Sequence, residues 1–422
     1  MSMPIEGNAP PPRRVLITCY NADPPTSGYA TRVMQMVESY TTRGMQADVL
    51  RFIPVAHRAE SWRRHLGLRG ARYVHEYPAP PISRYEMGRR LAVPWCGTLA
   101  RLVRQRLKPD LVQAEGHEAA AVTLWHGSKA LQVVDFHGAV PEETEYRRRR
   151  HGAPTASAPN WFHRHEARAL AVCDAYIVVS GRMNHHLVDK LGDDVRPERS
   201  FVLDVKSSSR FTATGCRVAR HDYALDDDDI VVAYAGGTQD YQRLPDVARF
   251  VETLARYLPR LRLMVFTADP DAARRQLGTF AVRRTIVASV APDDLYAHLR
   301  IADFGIIFRD DHVINRVASP TKVWEYLASG LHVICNRAAG NAQQEAGALD
   351  AALCVEPDSP TLSWRNTAMQ IEHIVRRRRA APDAVGVAAR RHLMLTGGWE
   401  GRFDAWLRHL HALPAHPCRD PS

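Results

Sequence analysis

Short apolar runs of strand length alternate along most of the chain with longer stretches in which apolar residues return every three or four positions. The first run, Val15 to Tyr20, ends at a loop holding Pro24, Pro25 and Gly28. Behind it Tyr29, Val33, Met36, Val37 and Tyr40 fall along one helical face, Gly44 stops the helix, and Ala47 to Ile53 returns as a second strand. That is one βαβ unit. Leu111 to Ala114, Leu131 to Phe136 and Ala175 to Val179 continue the rhythm, the last fed by a helix from about Trp161 to Val172. Residues 54–95 break it. Rich in arginine, proline and tyrosine and weak in periodicity, they read as a less regular insert.

Residues 204–229 hold no long apolar run and close on Asp226 to Asp229, which reads as a linker. The alternation then restarts with strands at Ile230 to Ala235, Leu261 to Phe266, Thr285 to Ala288, Phe304 to Phe308 and His332 to Cys335. Helices fall between them at Leu244 to Tyr257 and Pro292 to Leu299. Pro360 to Leu413 reads as mostly helical, with Trp399 and Trp406 as large apolar anchors. The pattern predicts an α/β protein with two Rossmann-like, doubly wound parallel sheets. The expected divisions are a disordered tail at 1–12, a first domain at 13–203, the linker at 204–229, a second domain at 230–395, and a terminal helix and tail at 396–422. A chain of 422 residues suits two cores better than one.

Composition changes this picture little. Hydrophobic residues make up 45% and charged residues 24%, as in an ordinary globular protein. No apolar run reaches the eighteen or so residues of a membrane span. Met1 to Pro12 lacks the basic and apolar regions of a secretion signal, so the expected location is the cytoplasm. Seven scattered cysteines with no CxxC pair argue against a disulfide framework or a zinc site, and Cys19, Cys173 and Cys335 read as plain buried thiols. The net charge of +10 is carried by arginine, with runs at Arg147 to Arg150 and Arg376 to Arg379. Such runs suit anionic lipid, phosphorylated substrates or a plainly solvated face. No nucleic-acid motif accompanies them, so nucleic acid is not an expected partner.

Ligands of open α/β sheets bind beyond the carboxyl ends of the strands, which puts three segments first. After Phe304 to Phe308 comes Ser319-Pro320-Thr321-Lys322, in which Ser319 suits an N-cap and Pro320 the first helical position. Lys322 opposes the dipole of that helix, and a bound phosphate would explain it; Glu325 lies on the same side and suits a ribose diol. An ordinary capped helix with a Lys–Glu surface pair fits equally well. Gly236-Gly237 follows Ile230 to Ala235 and allows close ligand approach or a simple tight turn, with Arg243 as a phosphate partner nearby. His137, after Leu131 to Phe136, suits sugar-hydroxyl binding or proton transfer, or else simple packing. Glu142, Glu143 and Glu145 read as a solvated segment. Gly28 is a further point of close approach. There is no GxGxxG, Walker A, HExxH or GxSxG motif, His185-His186 is too short for a metal site, and no paired-aspartate metal clamp is evident. Neither metal nor cofactor is therefore expected.

Ser319 to Gly330 (SPTKVWEYLASG) resembles the donor-binding segment of glycosyltransferase family four, in the variant of bacterial capsule and cell-surface polysaccharide enzymes. Tyr234-Ala235-Gly236-Gly237 resembles the start of that family's donor domain, and Glu166 to Ser180 its acceptor-domain helix and strand. The resemblance implies the GT-B fold, two domains facing a cleft with a terminal helix returning to the first. It also implies a retaining, metal-independent transfer of a hexose from a nucleotide sugar, UDP- or GDP-linked, to a glycan, lipid-linked or small-molecule acceptor. Lys322 and the backbone of Ser319, Pro320 and Thr321 would hold the diphosphate and Glu325 the ribose. His137 would meet the donor sugar, with Gly28, Gly236, Gly237 and Arg243 near the donor; His137, Lys322 and Glu325 are the implied catalytic set. An acceptor at the inner membrane face would bring peripheral contact with anionic lipid. The chain departs from the family at Val317, where the first of two glutamates eight positions apart is usual, and at Asn341, where an acidic residue is frequent. Arg243 only partly replaces the usual basic pair. Two alternatives share the fold: a nucleotide-sugar epimerase, which needs extra acid and base carboxylates, and a non-catalytic nucleotide-sugar-binding or assembly protein.

Overall fold

The structure, a computed structural model, describes residues 12–25, 27–55, 59–82, 86–150, 161–204, 218–278, 284–291, 294–396 and 398–413. The chain forms two compact units, Met1–Leu203 with Phe403–Ser422, and Asp204–Arg402. In the first, seven strands run parallel: β1 (Arg14–Tyr20), β2 (Gln46–Pro54), β3 (Tyr73–Ala79), β4 (Leu111–Glu115), β5 (Leu131–Phe136), β6 (Ala175–Val178) and β7 (Ser200–Val202). Their order is β3-β2-β1-β4-β5-β6-β7. In the second unit β8 (Ile230–Ala235), β9 (Leu261–Phe266), β10 (Thr285–Ala288), β11 (Phe304–Ile307), β12 (His332–Cys335) and β13 (Ala352–Cys354) are again all parallel, in the order β10-β9-β8-β11-β12-β13. Both sheets reverse winding direction once, at β1/β4 and at β8/β11. A crevice opens at the carboxyl ends of the strands at such a point.

The period of two that defines a strand is visible in what β8 touches. Ile230, Val232 and Tyr234 join Leu244, Val247 and Phe250 of the Leu244–Leu254 helix on one face. Val231, Ala233 and Ala235 join Val323, Tyr326 and Leu327 of the Lys322–Ala328 helix on the other. A strand buried on both faces reads as a continuous apolar run, which is why IVVAYA is legible in the sequence. Burying Val323 and Leu327 contributes about 2 kcal/mol each.

The 54–95 insert is not irregular. It holds a short helix at Arg63–Gly67, the whole of β3, and the start of the Glu86–Leu107 helix. β3 is an edge strand, largely half-exposed, so its sequence YVHEYPA mixes aromatic and polar residues and tolerates Pro78. The described part of the expected linker, 218–229, belongs to the second unit. Leu225 is in its core, and Arg220 bonds the carbonyls of Asp226, Asp227, Asp229 and Ile301. Residues 205–217 and the amino-terminal tail to residue 11 lie outside the described residues. The last helix, Gly398–Ala412, lays Phe403 edge-on against Tyr40 at 4.9 Å, and Trp406 Nε1 donates to the Tyr40 hydroxyl at 3.4 Å. Trp399 and Trp406 are both buried, as their size predicts.

Candidate functional site

In the second unit the carboxyl ends of β8 and β11 converge on two buried cations. Lys322 Nζ donates to Gln242 Oε1 at 2.8 Å and sits 4.5 Å from the centre of the Tyr234 ring. Arg309 Nη1 donates to the same oxygen at 3.1 Å. The Arg309 backbone is clamped from both sides by the Asn336 side chain, which accepts from its amide at 3.0 Å and donates to its carbonyl at 2.8 Å. Both cations are 6% exposed, yet among the described residues neither has a carboxylate within ion-pairing distance. Burial holds the Lys322 ammonium well below its ordinary pKa, and the charge of Arg309 adds to the shift; Glu325 opposes it. Burial lowers the Arg309 pKa as well. Two buried like charges sharing one amide oxygen are costly unless an anion neutralises them. The arrangement suits a phosphate group with several oxygens.

Gly236 is required here. Its φ of +146° is one that L side chains rarely adopt, and a Cβ there would lie 2.6 Å from Lys322 Nζ. Gly237 accepts from the Tyr234 hydroxyl through its carbonyl at 2.5 Å, and a Cβ on it would meet the Gln239 side chain. Tyr326 fixes the helix to the sheet. The β8 amide of Ala235 donates to its hydroxyl at 2.8 Å, and its ring lies where a Cβ on Gly305 of β11 would be, 2.1 Å away. On the same helix Glu325 is half-buried and has no side-chain partner among the described residues. Burial pushes its carboxyl up to about 7, with Lys322 pulling the other way.

The helix starts later than its sequence suggests. It spans Lys322–Ala328 with Thr321 as N-cap and no side-chain capping bond, so Ser319 is not the cap and Pro320 is not in the first turn. Ser319 Oγ instead accepts from Asn341 Nδ2 at 3.2 Å, while a Cβ on Gly340 would lie 2.3 Å from the Ala318 carbonyl. The Ser319-Pro320-Thr321 turn is thus seated on Gly340-Asn341, and Asn341 serves as its prop. Val317 is buried. Arg243 adopts φ +53° at the start of the Leu244–Leu254 helix and is paired with Asp246 and Asp358, each at 2.6 Å. The basic partner of Lys322 is Arg309. Its signal was its place directly after the apolar run of β11 and Phe308.

In the first unit the ends of β1, β4 and β5 bring Tyr29, Glu115 and His137 together. Tyr29, next to Gly28, donates to the Glu115 carbonyl at 2.7 Å and packs its ring 4.6 Å from that of His137. His137 Nε2 lies 2.7 Å from Glu115 Oε2. A carboxylate accepts, so Nε2 supplies the proton of this bond. Glu115 Oε1 accepts from Gln113 at 2.6 Å, and Gln113 Oε1 from Tyr40 at 2.6 Å, so a buried chain runs from His137 to the helix that carries Trp406. Burial raises the Glu115 pKa, the hydrogen bond with His137 opposes it, and the charge of Asp135 adds to it. Glu115, missed in the sequence, was again the residue just past an apolar run.

Glu115, Asp135 and His137 lie close enough to hold a metal ion. Both Asp135 oxygens, however, already take the Arg32 guanidinium, at 2.7 and 3.1 Å, so the positive charge of that cluster is built in. Gly28 opens the Gly28–Thr41 helix behind the Ser27 cap, with open space where its Cβ would be. The expected solvated segment is corrected at Glu142. It is buried, pairs with His186 at 2.9 Å and Lys190 at 2.8 Å, and is held at about 2 although burial pulls the other way. Lys190 also pairs with Glu166, which bonds His117 at 3.0 Å.

Residues 26–203 match the family profile described as Glycosyltransferase Family 4. A search of curated proteins finds no match in sequence. Solved structures match across nearly the whole chain. A glycosyltransferase from Rickettsia africae superposes with a TM-score of 0.66 at 13% identity, covering 95% of this chain and 99% of that one. Sucrose-phosphate synthase from Thermosynechococcus elongatus gives 0.64 at 14% identity, covering 95% and 100%. HepE from Anabaena, in complex with UDP-glucose, gives 0.63 at 12% identity, covering 94% and 98%. The fold is GT-B, and the class of enzyme carried by the family domain is glycosyltransferase.

Proposed function

We propose that the protein transfers a sugar from a nucleotide sugar to a hydroxyl acceptor, with the donor diphosphate held by Lys322 and Arg309. The observation that carries this reading is the pair of buried cations on one amide oxygen, with no carboxylate partner among the described residues. Glu325, on the same helix and with its carboxyl unpartnered among the described residues, suits the ribose diol. The Ser319-Pro320-Thr321 turn lines the approach, and Gly236 leaves room for the ammonium. The UDP-glucose on the similarly folded HepE supports a UDP-linked donor, with GDP the other candidate.

In the transfer the bond from the anomeric carbon to the diphosphate breaks, its electrons leave with the nucleotide, and the acceptor oxygen bonds to the sugar as it loses its proton. Two protein cations stabilise the charge that develops on the leaving group. Independence of metal and retention of configuration belong to the same proposal. His137, with Nε2 held by Glu115, offers Nδ1 to a sugar hydroxyl. A surface glycan or lipid-linked acceptor would be met from the cytoplasm at an anionic membrane. The support for lipid contact is the Glu86–Leu107 helix, on which Leu91, Trp95 and Leu102 are exposed along one stripe beside exposed Arg101 and Arg106.

Buried Val317, where a glutamate is usual, favours one other reading, a protein that binds the nucleotide sugar without turning it over. Incubation with UDP- and GDP-sugars, with and without acceptor glycans, separates the two. Release of nucleotide supports transfer or hydrolysis, and binding without release supports the second reading. Failure of every nucleotide sugar to bind contradicts both.

A further inference from the structure

The two strands at one edge of the second sheet place two thiols side by side. Cys335 closes β12 and Cys354 closes β13, and the two are register partners in a parallel pair. Partners in register point to the same face, and neighbouring strands stand about 4.8 Å apart, inside the Cα separation a disulfide spans. Their surroundings differ: Cys335 is fully buried, whereas Cys354, on the edge strand, is exposed.

We propose that Cys335 and Cys354 form a hydroperoxide-reactive dithiol site that closes to a disulfide across β12 and β13. Exposed Cys354 is the attacking sulfur. Its thiolate attacks one oxygen of hydrogen peroxide and the O–O bond breaks. The hydroxide that leaves takes up the proton released by the Cys354 thiol to become water, and Cys354 becomes a sulfenic acid. Buried Cys335 then attacks that sulfur, the S–S bond forms, and a second water leaves with the Cys335 proton. Two thiols are oxidised and one peroxide is reduced to two waters. Protonation agrees with these roles. A hydrogen bond from Cys335 holds the Cys354 thiol down at about 7 against the effect of burial and of Glu356, and the same bond, with burial, raises Cys335. The other described cysteines, Cys19, Cys96 and Cys173, are buried with their thiols pushed up by burial, so they do not compete.

The place of the pair gives the site a consequence. Cys335 directly precedes Asn336, the clamp on both sides of the Arg309 backbone. Past Cys354, Glu356 accepts from the Arg337 amide at 2.8 Å, and the Val355 amide donates to the Cys335 carbonyl at 2.9 Å. A cross-link at this step therefore lies at the root of the loop that holds Arg309.

The test is peptide mass spectrometry of the full chain under non-reducing conditions, after titration with hydrogen peroxide. Wild type is expected to yield a peptide joining Cys335 to Cys354, lighter by two hydrogens and reversed by dithiothreitol. Cys354→Ser abolishes the cross-link and leaves Cys335 unmodified, and Cys335→Ser leaves Cys354 to overoxidise to sulfinic acid. Circular dichroism of both variants checks that they fold. The proposal is overturned if wild-type Cys354 becomes sulfinic acid without a cross-link, links to another cysteine, or survives peroxide that oxidises a free thiol peptide.

Discussion

Lys322 and Arg309 set two effects against each other, the cost of burying a charge and the gain when an anion arrives. Removing either cation should weaken nucleotide-sugar binding by about 10- to 100-fold, the worth of one charged hydrogen bond. In the ligand-free protein Lys322→Ala removes a buried charge with no carboxylate partner, so thermal stability should hold or rise. Calorimetric titration together with a melting curve reads both, and a variant that loses affinity only because it unfolds shows a fall in both. Glu325 gives the pH dependence. Its folded pKa, about 7, is raised from 4.5, so the folded state holds its proton longer and stability is lost as pH rises through that window. Glu325→Gln has no such proton to lose. Relative to wild type it should gain up to about 2 kcal/mol between pH 5 and pH 8, measured by urea denaturation. Glu115→Ala should remove the 2.7 Å partner of His137 Nε2, leaving only Asp135 at 3.7 Å, and cost turnover more than donor affinity, seen as kcat falling further than KM rises. At this scale the sequence exposed Lys322, Glu325 and His137 because each follows or opens a strongly patterned element. Arg309 and Glu115 sat one or two residues past an apolar run, and nothing local separated them from ordinary polar residues. Arg243 looked equally basic, and only tertiary pairing with Asp246 and Asp358 shows its charge to be taken.

The elements around the site depend on glycine in two different ways, and substitution separates them. At Gly305 a methyl would collide with the Tyr326 ring, so Gly305→Ala should cost about 3 kcal/mol and detach the Lys322–Ala328 helix from β11. Gly28 has open space around its Cβ position, and Gly28→Ala should stay within about 0.5 kcal/mol by the same denaturation measurement. Elements buried on two faces were legible because burial writes a continuous apolar run; β8 and β9 match the expected bounds residue for residue. β3 was illegible for the opposite reason. An edge strand keeps polar and aromatic side chains toward solvent, and its period of two is lost in YVHEYPA. The start of the Lys322–Ala328 helix was misplaced because Ser319 and Pro320 satisfy every local rule for a cap, and the tertiary bond from Asn341 decides otherwise.

Across the molecule the same device appears in each unit: a parallel sheet reverses its winding once, and charged side chains are held buried at the carboxyl ends of the strands there. The terminal helix completes the first unit through Trp406, whose replacement by alanine should cost about 3–5 kcal/mol and loosen the chain from Tyr40 to His137. The exposed stripe of the Glu86–Leu107 helix predicts salt-sensitive sedimentation with anionic liposomes, lost in Trp95→Glu and absent with neutral lipid. The proposed function rests on the cation pair of the second unit being a nucleotide-sugar site. A thermal-shift titration of wild type and Lys322→Ala against UDP- and GDP-sugars tests it most directly. At least one nucleotide sugar should raise the melting temperature of wild type and leave that of Lys322→Ala nearly unmoved. Equal shifts in the two proteins, or no shift in wild type with any donor, would mean that the cation pair does not hold a nucleotide sugar.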